Sequence, residues 1–343
     1  MRPHGKSSVK KFFWIAIKVL ISVVGLGFIF FLFKSRSKEI IQIFRDASPS
    51  PFLAAVCLFL LGLTIVTTRL RLILRVQNAI LSFAQLFYFT LVGHFFSLFL
   101  PSAIGGDVVK GYYIYKKSGK KAASFTSVFL DRFVGSLAIL TLGLLALAYY
   151  GKKLNVVQLR NTVLAIFFVM LCGLTFLMNK KFASRFKFLF FLIPSQKLKG
   201  FLTNLYHRIN YYQHHKKVLL WVFLISVAAQ CVFIAVYYLL ARSLHLPVHY
   251  FSFFLVIPIV SVLSMAPSIN GLGVREAGFV YLFSWFTSSE SALALSLAYD
   301  ALVYGTGLLF GVFFLLREGF GYNVVNKAMH AEEQFEKMEE FSK

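Results

Sequence analysis

Apolar runs of some 18 residues or more, each able to cross about 30 Å of hydrocarbon as a helix, recur along this chain. Lipid offers no partner to a backbone N–H or C=O, so such runs must satisfy their own backbone, as helices or as a closed barrel. The alternating pattern of a barrel strand is absent. Only 14% of the 343 residues are charged and 58% are hydrophobic, a balance no soluble chain of this size needs. The expected class is an all-α polytopic membrane protein, with about eight transmembrane helices, two broken or re-entrant segments and a possible internal repeat. The spans fall at 12–33, 51–68, 80–100, 122–150, 162–178, 218–240, 251–268 and 292–316. A basic tail (1–11) precedes this domain (12–320), and an acidic, polar tail (321–343) follows it. The run Phe12–Phe33 is too long for a signal-peptide core and no small-x-small site follows it, so it reads as an uncleaved span.

The net charge of +23 lies almost wholly outside the spans, scattered over short loops. Anionic lipid surface fits this better than nucleic acid, since each juxtamembrane Lys or Arg is worth about 1 kcal/mol near such a leaflet. Lys and Arg divide nearly evenly between the two sets of loops, which leaves the orientation open. The loop 179–217 interleaves basic residues with Phe, Leu and Tyr; an interfacial amphipathic helix and a plain basic loop both fit. Its pair His214 and His215 reads as solvated, with no metal ligand nearby. Cys57, Cys172 and Cys231, far apart within apolar runs, read as buried free thiols.

The apolar stretch ending at Leu100 runs into LPSAIGGDVVKG, and the stretch ending near Ala266 runs into APSINGLGVREAG. Both contain Pro-Ser-x-x-Gly, at Pro101 to Gly105 and Pro267 to Gly271, separated by about half the chain. Each leads into a short segment with one acid and one base, Asp107 with Lys110 and Glu276 with Arg275. Gly/Pro-interrupted segments at matching places in two halves are a sequence pointer to a transporter's binding site. A broken helix at membrane depth must face protein or water, and the half-helix after the break offers its N-terminus to an anion. The plainer alternative is a loop outside the membrane, with Asp107 capping an ordinary helix.

Asp131, Arg132 and Asp300 lie within apolar sequence, where an ionisable group costs at least about 2.5 kcal/mol unless it finds a partner or water. Neighbours on a helix point about 100° apart, so Asp131 and Arg132 need separate partners. For Arg132 the candidates are Asp107, Glu276, Asp300 or a phosphate. His94 reads as a helix-to-helix hydrogen bonder, and Gly307 with Gly311 as a close packing contact. The chain has no P-loop, no GxSxG, no HExxH and no Asp-x-Asp pair, so no cofactor, metal or catalytic residue is assigned.

Taken together, LPSAIGGDVVKG, SVFLDRFVGS and GLGVREAG resemble the lysylphosphatidylglycerol synthase transmembrane-domain family, also called flippase-like, over about residues 10–320. The resemblance implies broken helices around a central cavity and movement of a lipid between leaflets of the plasma (inner) membrane. The soluble synthase domain of the two-part members is not present in this sequence, so a separate synthase or glycosyltransferase chain is an implied partner. Carried over by motif, the candidate substrate-binding residues are Pro101, Gly105, Gly106, Asp107, Lys110, Asp131, Arg132, Gly271, Gly273, Arg275 and Glu276; Asp300 joins them as an embedded acid. Lys110 stands where the family is expected to favour Arg, which keeps the charge without the bidentate fork. The expected function is translocation or binding of a phospholipid or polyprenyl-phosphate lipid. The rivals are the membrane component of a lipid-modifying transferase and a non-transporting scaffold.

Overall fold

The computed structural model describes residues 37–99, 105–154, 157–178, 209–264 and 273–318. The first span, the two Pro-Ser motifs with Pro101 and Gly271, most of the loop 179–217 and the acidic tail lie outside these residues. All regular structure among the described residues is helical: α1 (Ser37–Arg45), α2 (Pro49–Val76), α3 (Phe83–Phe99), α4 (Gly105–Ser118), α5 (Lys121–Leu154), α6 (Val157–Met178), a 3-10 turn (Tyr212–His215), α7 (Lys216–Ser243), α8 (Tyr250–Leu263), α9 (Val274–Phe283) and α10 (Ser289–Glu318). Pro49–Val76, Lys121–Tyr149, Ile209–Ser243 and Ser289–Phe314 are long and apolar enough to cross a membrane.

The stretches expected as the third and seventh spans do not simply cross. Helix α4 turns back along α3: Gly106 meets Gly93 and Ser97 near one end, and Phe89 faces Tyr113, with ring centroids 5.6 Å apart, near the other. Helix α9 does the same along α8, with Gly278 against Leu263 and Phe283 against Phe253. The segments that follow the two Pro-Ser motifs therefore contain the second arms of two helical hairpins, in keeping with the two broken or re-entrant segments expected. Helix α1 lies between the expected first and second spans.

Contacts fix the direction of each element. Lys120 Nζ donates to the Asn78 carbonyl at 2.9 Å, so the end of α2 and the start of α5 share one face, called here the first face. The first hairpin enters from it. Helix α7 is antiparallel to α2: Ser48 N–H donates to the Ser243 carbonyl at 2.8 Å at one end, and the Tyr212 hydroxyl donates to the Ile73 carbonyl at 2.9 Å near the other. The end of α7 is thus at the opposite, second face, and the second hairpin enters from there.

Two four-helix sets emerge. Helices α2–α5 begin at Pro49, Phe83, Gly105 and Lys121; α7–α10 begin at Lys216, Tyr250, Val274 and Ser289. Each helix of the first set thus has a counterpart in the second at a nearly constant offset of about half the chain, and α2 and α7 are both 28 residues long. Because α2 and α7 are antiparallel, the repeat is inverted. The cross-packing obeys it: α5 packs on α8 of the other set, where Gly143 lies against Pro258, and α10 packs on α3, where Gly307 and Gly311 lie against Leu98 and Phe95. The glycine pair therefore marks a close packing contact, as its spacing suggested. Most of the buried apolar side chains join one cluster that includes members of both sets, such as Phe59, Leu140, Ile234, Phe253 and Ala298. One expectation fails here. Cys57 and Cys172 are exposed rather than buried, because both sit on outward faces of their helices. The end of the loop 179–217 is structured: residues 209–217 are helical, with Ile209 and Tyr212 buried.

Candidate functional site

The embedded charges collect at the two hairpins. In the first, Gly105, Gly106 and Asp107 open α4. Gly106 permits the turn: a Cβ there would strike the Gly93 carbonyl and the Ser97 side chain on α3. Asp107 then sits one turn from Lys110, whose Nζ is 2.9 Å away, and it binds Arg132 on α5. Asp131, next to Arg132, faces elsewhere. It accepts from Arg69 Nε at 2.6 Å and lies 3.9 Å from Lys110 Nζ. The Arg69 and Asp131 side chains are only 5% and 3% exposed, and Ser226 of α7 accepts a further bond from Arg69 Nη1 at 3.1 Å. Gly135 leaves room for that guanidinium, because a Cβ would lie 2.9 Å from Arg69 Nη1.

In the second hairpin, Gly273 caps α9 at φ +83°, a conformation that favours glycine. Its N–H donates to Glu276, the carboxylate half of a capping box. Arg275 donates to Glu276 at 2.9 and 3.0 Å and binds Asp300 on α10. Two aromatic rings close the site: Tyr237 of α7 stacks on Tyr299 at 4.0 Å, and Arg275 lies 5.8 Å from the Tyr299 ring centroid.

Both sites lie well inside the slab of helices. Arg132 and Asp300 are each about three helical turns beyond the first residue of their helix, about 17 Å at a rise of about 1.5 Å per residue. Helix α5 continues from Arg132 to Leu154, about 33 Å more. The described starts of α4 and α9 therefore lie among the long helices; the turns that lead into them, 100–104 and 265–272, are outside the described residues. Asp107 is not the cap of α4, since it is the third helical residue.

Ten of the twelve candidate residues are within the described residues, and they fall into two groups. Gly105, Gly106, Asp107, Lys110, Asp131 and Arg132 form one; Gly273, Arg275, Glu276 and Asp300 form the other. Of the three acids open to Arg132, the fold supplies Asp107. Arg69 was missed because the second span was ended at 68. Its signal was the apolar run LILRV resuming beyond it, which carries the helix to Val76. Tyr237 and Tyr299 were missed because tyrosine in an apolar helix carries no sign of its own. His94 does bridge helices, with Thr306 Oγ1 at 3.5 Å. No group of three or more metal-ligating side chains occurs among the described residues.

The family model for the lysylphosphatidylglycerol synthase TM region matches residues 15–311. The chain belongs to this family. No curated protein and no solved structure matches it. The matched region of this lysylphosphatidylglycerol synthase TM chain takes in every described helix except the end of α10, so both hairpins and both ion-paired groups belong to the family domain.

Proposed function

We propose that the protein is a lipid translocase of the plasma (inner) membrane, which binds a phospholipid or polyprenyl-phosphate lipid and moves it between leaflets. The observation that carries this reading is the pair of re-entrant hairpins, entering from opposite faces in an inverted repeat and ending in ion pairs at depth. Inverted repeats with discontinuous helices build midplane binding sites in transporters. A charged headgroup dragged through hydrocarbon meets a steep cost that fixed polar groups reduce. Arg132 and Lys110 would engage phosphate, Arg275 would join them only once Asp300 has let it go, and Asp107, Glu276 and Asp300 would balance their charge. Anionic lipid is the surface partner suggested by the basic loops, and a separate lipid-modifying chain is a further partner.

The test is leaflet exchange of fluorescent phosphatidylglycerol or a polyprenyl phosphate by the purified protein in sealed vesicles. Exchange faster than in empty vesicles, lost in Arg132→Ala and in Glu276→Gln, is the expected result. Folded variants that exchange lipid at the wild-type rate would overturn the assignment of roles.

A further inference from the structure

The two hairpins are matched in position and opposite in polarity. Asp107 and Arg132 are 25 residues apart, as are Arg275 and Asp300. Both pairs tie the first turn of a hairpin's second arm to the same point on the following long helix. In the first the acid is on the hairpin and the base on the long helix; in the second the signs are exchanged. The two surroundings differ as well. The first group holds three bases (Arg69, Lys110, Arg132) and two acids (Asp107, Asp131), the second one base (Arg275) and two acids (Glu276, Asp300). Arg132 is 41% exposed, whereas Arg275 and Asp300 are 12% and 13% exposed.

We infer that the two hairpins are latches released by different ions: an anionic headgroup at Arg132 for the α3/α4 hairpin, and a proton at Asp300 for the α8/α9 hairpin. An anion can reach the half-exposed Arg132. When Arg132 turns to it, Asp107 keeps Lys110 at 2.9 Å, so no charge in that group is left alone. The second latch cannot open that way. Arg275 is the base of its group, and parting it from Asp300 leaves a buried carboxylate on α10 without a cation, a large penalty that an incoming anion only increases. Protonation of Asp300 removes the penalty and releases Arg275, while Glu276 keeps both Arg275 and the Gly273 N–H. The groups facing Asp300 are Arg275 and Glu276 of α9, its neighbour Tyr299, and Tyr237 of α7, stacked on Tyr299. Helices α1 and α3 touch α10 elsewhere, at Leu293 and Thr306. Since the hairpins enter from opposite faces, release of one opens the first face and release of the other opens the second.

Only the description of the anion as a lipid headgroup rests on the proposed function. The test is hydrogen–deuterium exchange, read by mass spectrometry and corrected for intrinsic rates, on the full chain in phosphatidylcholine nanodiscs. Adding phosphatidylglycerol is expected to raise exchange several-fold over 105–118 and leave 274–283 unchanged. Moving from mildly alkaline to mildly acidic pH is expected to do the reverse, and Asp300→Asn to hold 274–283 in fast exchange at both pH values. If both segments answer to the same stimulus, or neither to its own, the inference is overturned; these wild-type arms decide even where the variant fails to fold. A response to soluble glycerophosphate but not to phosphatidylglycerol overturns the headgroup assignment. Leaflet exchange measured on the same preparation separates the two claims: selective responses without lipid flux defeat the translocase reading alone, and flux without selective responses defeats the latches alone.

Discussion

Arg69 and Asp131 of the first set stand where Tyr237 and Tyr299 stand in the second, at one and the same offset along the chain. One half joins its first and fourth helices by a buried ion pair at 2.6 Å; the other joins them by stacked rings at 4.0 Å. The same scaffold thus tolerates two unlike solutions to one packing problem. The difference shows what the scaffold demands: a filled contact between the two long helices beside each latch, whatever its chemistry. It also shows where polarity is free to vary, since the latches themselves exchange signs between halves.

The largest effect should come from breaking the buried pair. Asp131→Ala strands the Arg69 guanidinium and should cost about 3–5 kcal/mol, read as a fall in apparent Tm in nanodiscs. The double change Arg69→Met with Asp131→Leu should cost clearly less, because no charge is stranded; an equal or greater loss would mean that the ion pair itself is required. The latches should differ almost as much. Arg275→Ala leaves two buried acids and should lose several kcal/mol by the same mechanism, whereas Arg132→Ala, at a half-exposed pair, should lose about 1 kcal/mol or less in the same measurement. Equal losses would erase the asymmetry between the halves.

The glycines sharpen the comparison on a smaller scale. Gly106→Ala drives a methyl into the Gly93 carbonyl and should cost about 1–3 kcal/mol, while Gly278→Ala meets only the end of the Leu263 side chain and should cost less. Thermal midpoints of the two variants measured side by side would decide it. Smallest of all should be Thr306→Val, which removes one long contact to His94 and hydroxyl bonds to the Leu302 and Val303 carbonyls of its own helix, and should shift stability by about 1 kcal/mol or less in the same measurement.

Much of this was legible in the chain. The apolar runs determined the helical membrane class, because backbone groups in lipid have no other partner. The paired Pro-Ser motifs revealed the repeat, and the embedded acids and bases marked most of the site. The register was legible only approximately: the offset between the motifs is slightly shorter than that between the helices leading into them, and the helices after the turn are offset further still. Motif alignment sets Lys110 against Glu276, while the fold sets Asp107 against Arg275.

What only the tertiary structure decided is direction and partnership. Hydropathy counts apolar residues and is blind to whether a 17-residue helix such as α3 crosses the slab or turns back inside it. It is equally blind to the antiparallel packing of α2 on α7 that makes the repeat inverted. Arg132 had three acids open to it in the sequence, and the hairpin's return path chose Asp107. Composition is local and set by the chain; the sign of each latch and the face it guards depend on which helices meet, and that is settled by long-range packing.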